Sequence, residues 1–454
     1  MRVYVSSLGC KLNQSEMDDL AAQLTDAGHQ IVTSPTQAHL CVLNTCAVTH
    51  VAAQKSRQAL RRLHRENPSA RLVATGCYAE LAPEQLSGLP GVAHVVGNQA
   101  KEGLGEWVAG KPVPAPHRGP VPAPHRGPVP APHRGPACLS RCLPGAPVPG
   151  REALPRRRTR ALVKIQDGCD NACTYCVIRK ARGRQRSREP QQILDDVRVR
   201  LAAGHQEIVL TGVHVGAYGR DRESSKEGAD LWALVNRILL ETDVPRLRLS
   251  SIEPWDLSEE VLDLWDDPRL CRHLHLPLQS GCDATLRRME RHYTTSGFAE
   301  MVSAAQDAIP DLAVTTDVIV GFPGETDADF EESLSFVRAV GFSRLHVFPY
   351  SLRDGTPAAS LPAQVPAPVK ASRAAAMRAV AAESTRLFRQ RFIGRTMEVL
   401  WESCRGGNDV PLWSGLTGNY LRVYARDSRA LANTMSHTHL VGHMHGGLQG
   451  EIVT

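Results

Sequence analysis

Three cysteines set the chemistry: Cys169, Cys173 and Cys176 in GCDNACTYC, spaced C-x₃-C-x₂-C. Three thiolates on one tight loop can hold three irons of a [4Fe–4S] cluster and leave the fourth open. An open iron can chelate the amino and carboxylate groups of S-adenosylmethionine. Zinc competes for such thiols but wants a fourth nearby ligand, and buried packing thiols are the plain alternative. A second set is dispersed. Cys10, Cys46 and Cys77 each follow a short β-like run, in SLGCKLNQSE, VLNTCAV and VATGCYAE. In a parallel sheet, ligands collect outside the carboxyl ends of strands. These three thiols therefore converge, or are three unrelated side chains.

The elements that position them follow from periodicity. Residues 1–110 alternate β-like runs (Val3–Ser7, Leu40–Asn44, Arg71–Thr75, Val92–Val96) with helical windows (Glu16–Ala27, Ala52–Arg65). This reads as a parallel α/β domain. Residues 112–135 are three copies of PVPAPHRG, too rich in proline for helix or central strand, so 111–158 reads as an extended linker. Cys138 and Cys142 lie in it and read as free thiols. Residues 159–392 alternate again, with strands at Leu162–Gln166, Glu207–Thr211, Leu247–Ser251, His273–Leu278, Ala313–Val320 and Arg344–Pro349. Helical patterns at Gln191–Ala203, Leu231–Glu241, Ser258–Trp265 and Asp327–Val340 separate them, and 367–392 reads as one long helix. Six βα-like units predict a full or partial barrel. Residues 393–454 are short β-runs with Gly-rich turns, which predict a small β-barrel.

The chain has 454 residues, 42% hydrophobic and 22% charged, as in ordinary globular proteins and unlike collagen, coiled-coil or disordered chains. Twelve Cys are too few for a disulfide scaffold. No apolar run reaches membrane-helix length and no signal-peptide blocks open the sequence, so a cytoplasmic protein is expected. Net charge is +6, but residues 156–188 hold eleven Lys/Arg against two Asp. This strip frames the Cys169 loop and predicts contact with a polyanion through Arg182, Arg184, Arg186 and Arg188. Strand ends in LTGVHVGAYG, LSSIEP, LHLPLQSG and DVIVGFPGE offer Gly212, Glu253, Gln279, Gly321 and Glu325 as a cofactor pocket, since glycine permits close backbone approach. His437, His439, His443 and His445 read as a surface cluster, and Cys41, Cys271, Cys282 and Cys404 as packing residues.

GCDNACTYC, with Tyr175 before its last Cys, resembles the radical S-adenosylmethionine superfamily. Residues 1–100 and 160–454 resemble its methylthiotransferase family. That resemblance implies a second [4Fe–4S] cluster on Cys10, Cys46 and Cys77, with an open iron where the sulfur to be inserted is bound. It also implies that Tyr175 and the strand-end residues line the S-adenosylmethionine pocket. Two S-adenosylmethionine molecules are implied, one methylating that sulfur and one yielding a 5′-deoxyadenosyl radical that takes hydrogen from C2 of an adenine. The family pattern has Pro where Arg179 stands, so the loop departs there. The last 60 residues resemble a TRAM domain, an RNA-holding barrel, although five Arg meet five Asp/Glu from residue 395 on. GCKLNQSE, LTGVHVGAYGRD and RLSSIEP look closest to members acting on threonylcarbamoyladenosine at position 37 of tRNA. Members acting on isopentenyladenosine read Gln-Met-Asn after the first cluster Cys, and those acting on a ribosomal protein read Pro-Lys-Asn. The added carboxylate needs a buried cation, for which Arg182 and Arg184 are candidates. The implied partners are tRNA, an electron donor and a sulfur source, with the enzyme a monomer.

Overall fold

A computed structural model describes residues 1–108, 159–222, 230–406 and 410–453. The octapeptide repeat, Cys138 and Cys142 lie outside these residues. Strands β1 (Arg2–Ser7), β2 (Gln30–Ile31), β3 (Leu40–Thr45), β4 (Arg71–Gly76) and β5 (Val92–Val96) form one parallel sheet, ordered β2-β1-β3-β4-β5. The central strand β3 is buried at every residue, as expected where both faces of a parallel sheet are covered. Val3, Leu20, Leu24, Val42 and Val73 pack on one face, and Leu43, Leu60, Leu63, Leu72 and Tyr78 on the other. The helix expected from Glu16 starts earlier, at Lys11, directly after Cys10. The second helix, His50–Glu66, is capped by Thr49, whose hydroxyl accepts from Ala52 N at 3.1 Å, satisfying a free N-terminal donor.

The middle of the chain contributes β6 (Arg160–Lys164), β7 (Gln166–Asp167), β8 (Arg186–Ser187), β9 (Glu207–Thr211), β10 (Arg246–Leu249), β11 (His273–His275), β12 (Ala313–Val320) and β13 (Arg344–Pro349). Two parallel three-stranded sheets, β10-β9-β6 and β11-β12-β13, meet through the parallel bridges Leu247 to Leu270 and Ser251 to His275. Six parallel strands thus curve into a partial barrel, and among the described residues no ladder joins β6 to β13. Helices cover both free edges. Ser15, on the Lys11–Asp26 helix, donates to Leu162 O at 3.1 Å, and the Ala367–Gln390 helix packs on β13. The helix expected over Ser258–Trp265 is a 3₁₀ segment, Glu259–Asp266. Its buried side chains, Leu262 and Trp265, are three residues apart, the repeat that aligns on a 3₁₀ face.

Strands β14 (Thr396–Arg405), β15 (Leu412–Thr417), β16 (Arg422–Arg426), β17 (Met435–Met444) and β18 (Gly447–Ile452) close into a barrel, ordered β14-β15-β16-β18-β17. Val399, Trp401, Trp413, Val423 and Leu448 fill it, with Phe388 of the preceding helix and Phe392 just past its end against them. Cys41, Cys271 and Cys282 are buried as expected, but Cys404 is exposed, because it lies toward the β14 end on an outward-facing run. His437, His443 and His445 are exposed and His439 partly so. No helix among the described residues is long and apolar enough to cross a membrane.

Candidate functional site

Cys10, Cys46 and Cys77 follow β1, β3 and β4, three neighbouring strands of one sheet, so strand order brings them to one edge. Local backbone makes room. Gly9 has φ +97°, and a side chain there would press within 2.7 Å of Cys46 Cβ. Asn13 donates to Leu8 O (2.8 Å) and Thr45 O (3.3 Å), and its Oδ1 accepts from the Cys10 thiol at 3.6 Å. Asn98 lies over Cys77, its Nδ2 3.8 Å from the sulfur. Cys46 and Cys77 are buried. Cys10 is accessible yet densely surrounded, so it lines a recess rather than the outer surface. Burial raises the pKa of Cys10, and that of Cys46 to about 11.

The second triad follows β7. Gly168, at φ +68°, has no space for a side chain against the Arg184 carbonyl, and this tight turn opens the Cys169–Cys176 loop. Cys169 N donates to Gly183 O (3.2 Å), Cys176 N to Cys173 O (3.0 Å) and Thr174 Oγ1 to Arg288 O (2.9 Å). Arg179, which replaces the family's proline, is exposed in the short helix Ile178–Arg182 and leaves the loop closed. Burial pushes Cys176 up to about 12. Thiols of this kind give up protons when metal binds. Among the described residues, no three His, Cys, Asp or Glu converge on a single-ion site.

The two triads face each other across a buried polar network. Arg182, 2% exposed, donates to Asn13 Oδ1 (2.6 Å), Glu16 Oε1 (2.8 Å) and Asp167 Oδ1 (2.9 Å). Glu16 also binds Lys101 (2.6 Å) and Lys164 (3.4 Å). Asn98 donates to Ala181 O at 2.6 Å. Arg182 is therefore not a surface RNA contact, nor free to read a substrate carboxylate, because its donors are committed to the domain junction. Arg188 also turns inward, to Lys164 O (2.7 Å) and Asp196 (2.8 Å). Arg184 and Arg186 do face solvent, with side chains 82% and 52% exposed.

Around Cys169–Cys176, Glu253 is clamped by Arg291, whose Nη1 is also 3.5 Å from Cys173 Sγ. Arg291 lies over the rings of Trp255 (4.8 Å) and Tyr293 (5.1 Å). Tyr175 packs edge-on against Phe322, centroids 6.4 Å apart. Gln279 holds φ +62° and exchanges backbone bonds with Asp317 and Ile319, both 2.8 Å. Such a left-handed non-glycine residue is costly and marks an over-determined position. At Gly212 and Gly321 the close approach is made by protein: Gln166 Oε1 would lie 2.9 Å from a Gly212 side chain, and the Lys370 stem fills the space over Gly321. Glu325 is turned inward to Gly321 N (2.8 Å) and Arg373 (2.6 Å). Sequence patterns do not single out Arg291, Asn98 or His214. His214 sits beside Cys169 and 2.6 Å from Asp256; burial alone would lower its pKa, but the Asp256 bond raises it to about 9. Arg353, after β13, has buried Nε and Nη2 atoms without hydrogen-bond partners and lies in the field of Cys46. Of these four, Asn98, His214 and Arg353 follow the ends of β5, β9 and β13, within reach of the strand-end rule, whereas Arg291 follows a helix.

An open ring of parallel strands with a cysteine triad past its first strand defines a radical S-adenosylmethionine enzyme, and residues 163–337 match the Radical SAM superfamily. Residues 2–97 match uncharacterized protein family UPF0004. The chain is 36% identical over 423 residues to the threonylcarbamoyladenosine tRNA methylthiotransferase MtaB of Bacillus subtilis, covering 93% of this chain and 89% of that one. It is 34% identical to the tRNA-2-methylthio-N(6)-dimethylallyladenosine synthase of Desulfosudis oleivorans, covering 92% and 87%. The structure of the radical S-adenosylmethionine methyltransferase TsrM from Kitasatospora setae, with cobalamin and a [4Fe–4S] cluster bound, superposes with TM-score 0.54 at 18% identity, covering 79% of this chain and 77% of that chain. This shares the fold. The chain belongs to the methylthiotransferase family of radical S-adenosylmethionine enzymes. Its cofactors are [4Fe–4S] clusters and S-adenosylmethionine.

Proposed function

We propose that this enzyme places a methylthio group at C2 of N6-threonylcarbamoyladenosine at position 37 of tRNA. One observation carries the reading: two cysteine triads, one past the strand ends of the N-terminal parallel sheet and one on the loop after β7, joined by Arg182. In this reading Cys10, Cys46 and Cys77 hold one [4Fe–4S] cluster, and Cys169, Cys173 and Cys176 the other. Bound there, the cofactors supply radical cleavage of S-adenosylmethionine and the sulfur to be inserted. The chain's own residues place and shield them. Tyr175, Glu253 and Gln279 border the S-adenosylmethionine face, and Gly212, Gly321 and Glu325 shape the loops around it. Arg291 fixes the Glu253 carboxylate and neutralises it. Exposed Arg184 and Arg186 meet RNA phosphate.

Domains of 1–110, 159–392 and 393–454 joined by the linker 111–158 fit this division of labour. The enzyme works as a cytoplasmic monomer that draws on an external electron donor and sulfur source. Support for the substrate comes from relatives named for threonylcarbamoyladenosine at 34–36% identity. Offering the reconstituted enzyme tRNAs with threonylcarbamoyl- or isopentenyladenosine, and reading the methylthio mass shift, tests it. Turnover of the isopentenyl tRNA alone overturns the substrate and leaves the chemistry standing.

A further inference from the structure

Among the described residues, one lysine at the floor of the partial barrel has no ion-pair partner, although Tyr420 and Glu207 lie in its field. Lys11 directly follows Cys10 and sends its ammonium over the Tyr420 ring of the C-terminal barrel, 6.0 Å from the centroid. Arg160 and Arg248 share that ring, at 5.6 and 4.7 Å. Arg248 forks onto Glu207 (2.7 and 3.1 Å), and Arg160 binds Glu402 (2.8 Å). Arg246 reaches Glu398 (3.4 Å), while Arg422 takes the second oxygen of Glu402 (2.7 Å). Five cations here meet three carboxylates. Among the described residues, Lys11 is the member whose nitrogen makes neither ion pair nor hydrogen bond.

Two independent features mark the same spot. His273, 3% exposed, stacks on Tyr420 with centroids 4.6 Å apart and planes 22° apart. Its Nε2 faces Thr315 Oγ1 at 3.1 Å, but its buried Nδ1 has no partner. Orphaned buried nitrogens are rare because a buried polar atom loses its water without a replacement partner. Burial, with Arg248 and Lys11 nearby, keeps the ring neutral, and a neutral ring can carry its proton on Nδ1 and donate it. Tyr420 itself is held at φ +68°, a left-handed conformation uncommon outside glycine.

We propose that Lys11 and His273, set against Tyr420, form a carboxylate-binding site that reads the acid group of threonylcarbamoyladenosine. This deepens the substrate reading above and rests on it. The site lies beside the first residue after Cys10, so a base presented to that triad brings its N6 substituent toward Lys11. A carboxylate supplies the missing counter-charge and accepts from both nitrogens. An isopentenyl group would leave both unpaired, the situation in which a polar site rejects an apolar analogue most strongly.

The test compares an anticodon stem-loop carrying threonylcarbamoyladenosine as the free acid with the same stem-loop as its methyl ester. Cluster-loaded wild-type protein should bind the acid roughly 10–100-fold more tightly, the range for a charge-assisted pair. Lys11→Met and Lys11→Gln should reduce that preference to within about threefold, and Lys11→Arg should keep most of it, since charge persists. Iron content at the wild-type level certifies that each variant is folded. A wild-type protein indifferent to esterification overturns the proposal without recourse to variants. So does an iron-loaded Lys11→Met protein that still prefers the acid. If the wild type methylthiolates the threonylcarbamoyl tRNA but ignores esterification, this site alone fails. If it turns over only the isopentenyl tRNA, the substrate reading fails as well.

Discussion

Asn13 Oδ1 accepts from Arg182 Nη2 at 2.6 Å, tying the helix after Cys10 to the helix after Cys176. The same Asn13 oxygen faces the Cys10 thiol. One amide and one guanidinium therefore set the spacing of the two cysteine triads, and rigid support of this kind keeps reacting groups in register.

Removing the guanidinium should be expensive. Arg182→Met leaves Glu16 and Asp167 buried with fewer cations, a change that costs about 3–5 kcal/mol where one partner of a buried ion pair is removed. Arg184→Ala, at an exposed site, should stay within about 0.5 kcal/mol of wild type. Thermal melts of the two variants give the comparison. Equal melting temperatures would show that the network does not hold the domains together.

The same network has a pH signature. Burial alone would raise the Glu16 pKa, but Lys101, Arg182 and Lys164 hold it far below the carboxylate range. Asp167 is lowered as well, by Arg182 and Lys164 against its burial. A depressed folded pKa means stabilisation that is complete at neutral pH and drains as pH falls below the unfolded values of about 4.3 and 3.9. Glu16→Gln should be the less stable protein at pH 7 and show a shallower acid limb. The two melting curves should draw together as pH falls below the unfolded value and meet only below the strongly depressed folded pKa of Glu16. Parallel curves across that range would remove Glu16 as a source of acid sensitivity.

Four of the five strands in the first sheet were legible to within a residue, because apolar runs leave a plain trace, while the two-residue edge strand β2 left none. The Cys10, Cys46, Cys77 edge was legible for a related reason: each thiol follows a strand by one to three residues. The arginine strip was not. Arg182, Arg184, Arg186 and Arg188 alternate and would share one face of an extended chain. Gly183, at φ +78°, turns the chain between the first two, sending Arg182 in and Arg184 out. Partners distant in sequence were hidden too. Nothing local announces that Arg291 clamps Glu253 or that Lys370 fills the space over Gly321.

That inward and outward sorting governs RNA binding. Removing one Arg–phosphate pair should reduce the slope of log affinity against log salt by about 0.9 on duplex and 0.7 on single-stranded RNA, taking DNA as the guide. Arg184→Ala with Arg186→Ala should weaken tRNA binding and flatten the slope by up to two such steps. Arg188→Ala should flatten it little, because that side chain is tied to Lys164 O and Asp196. Titrations at several salt concentrations measure all three. An unchanged slope in the double variant would place the RNA path elsewhere.

Iron content separates the two triads. One set follows three strands of the first sheet, the other shares the loop after β7, and the sets have no ligand in common, so their losses should be independent. Anaerobic reconstitution of the wild type should load about eight irons per chain, four per cluster. Replacing Cys169, Cys173 and Cys176 by Ala should leave about four irons and abolish S-adenosylmethionine cleavage, because in the proposed assignment that set would hold the cluster at which S-adenosylmethionine binds. Replacing Cys10, Cys46 and Cys77 by Ala should also leave about four irons, but reductive cleavage should persist while methylthio insertion stops. Burial keeps Cys46 and Cys176 protonated without metal, so loading should release protons and proceed faster at higher pH. A triple variant that retains the full iron load would show that its three cysteines are not the ligands, whatever its activity.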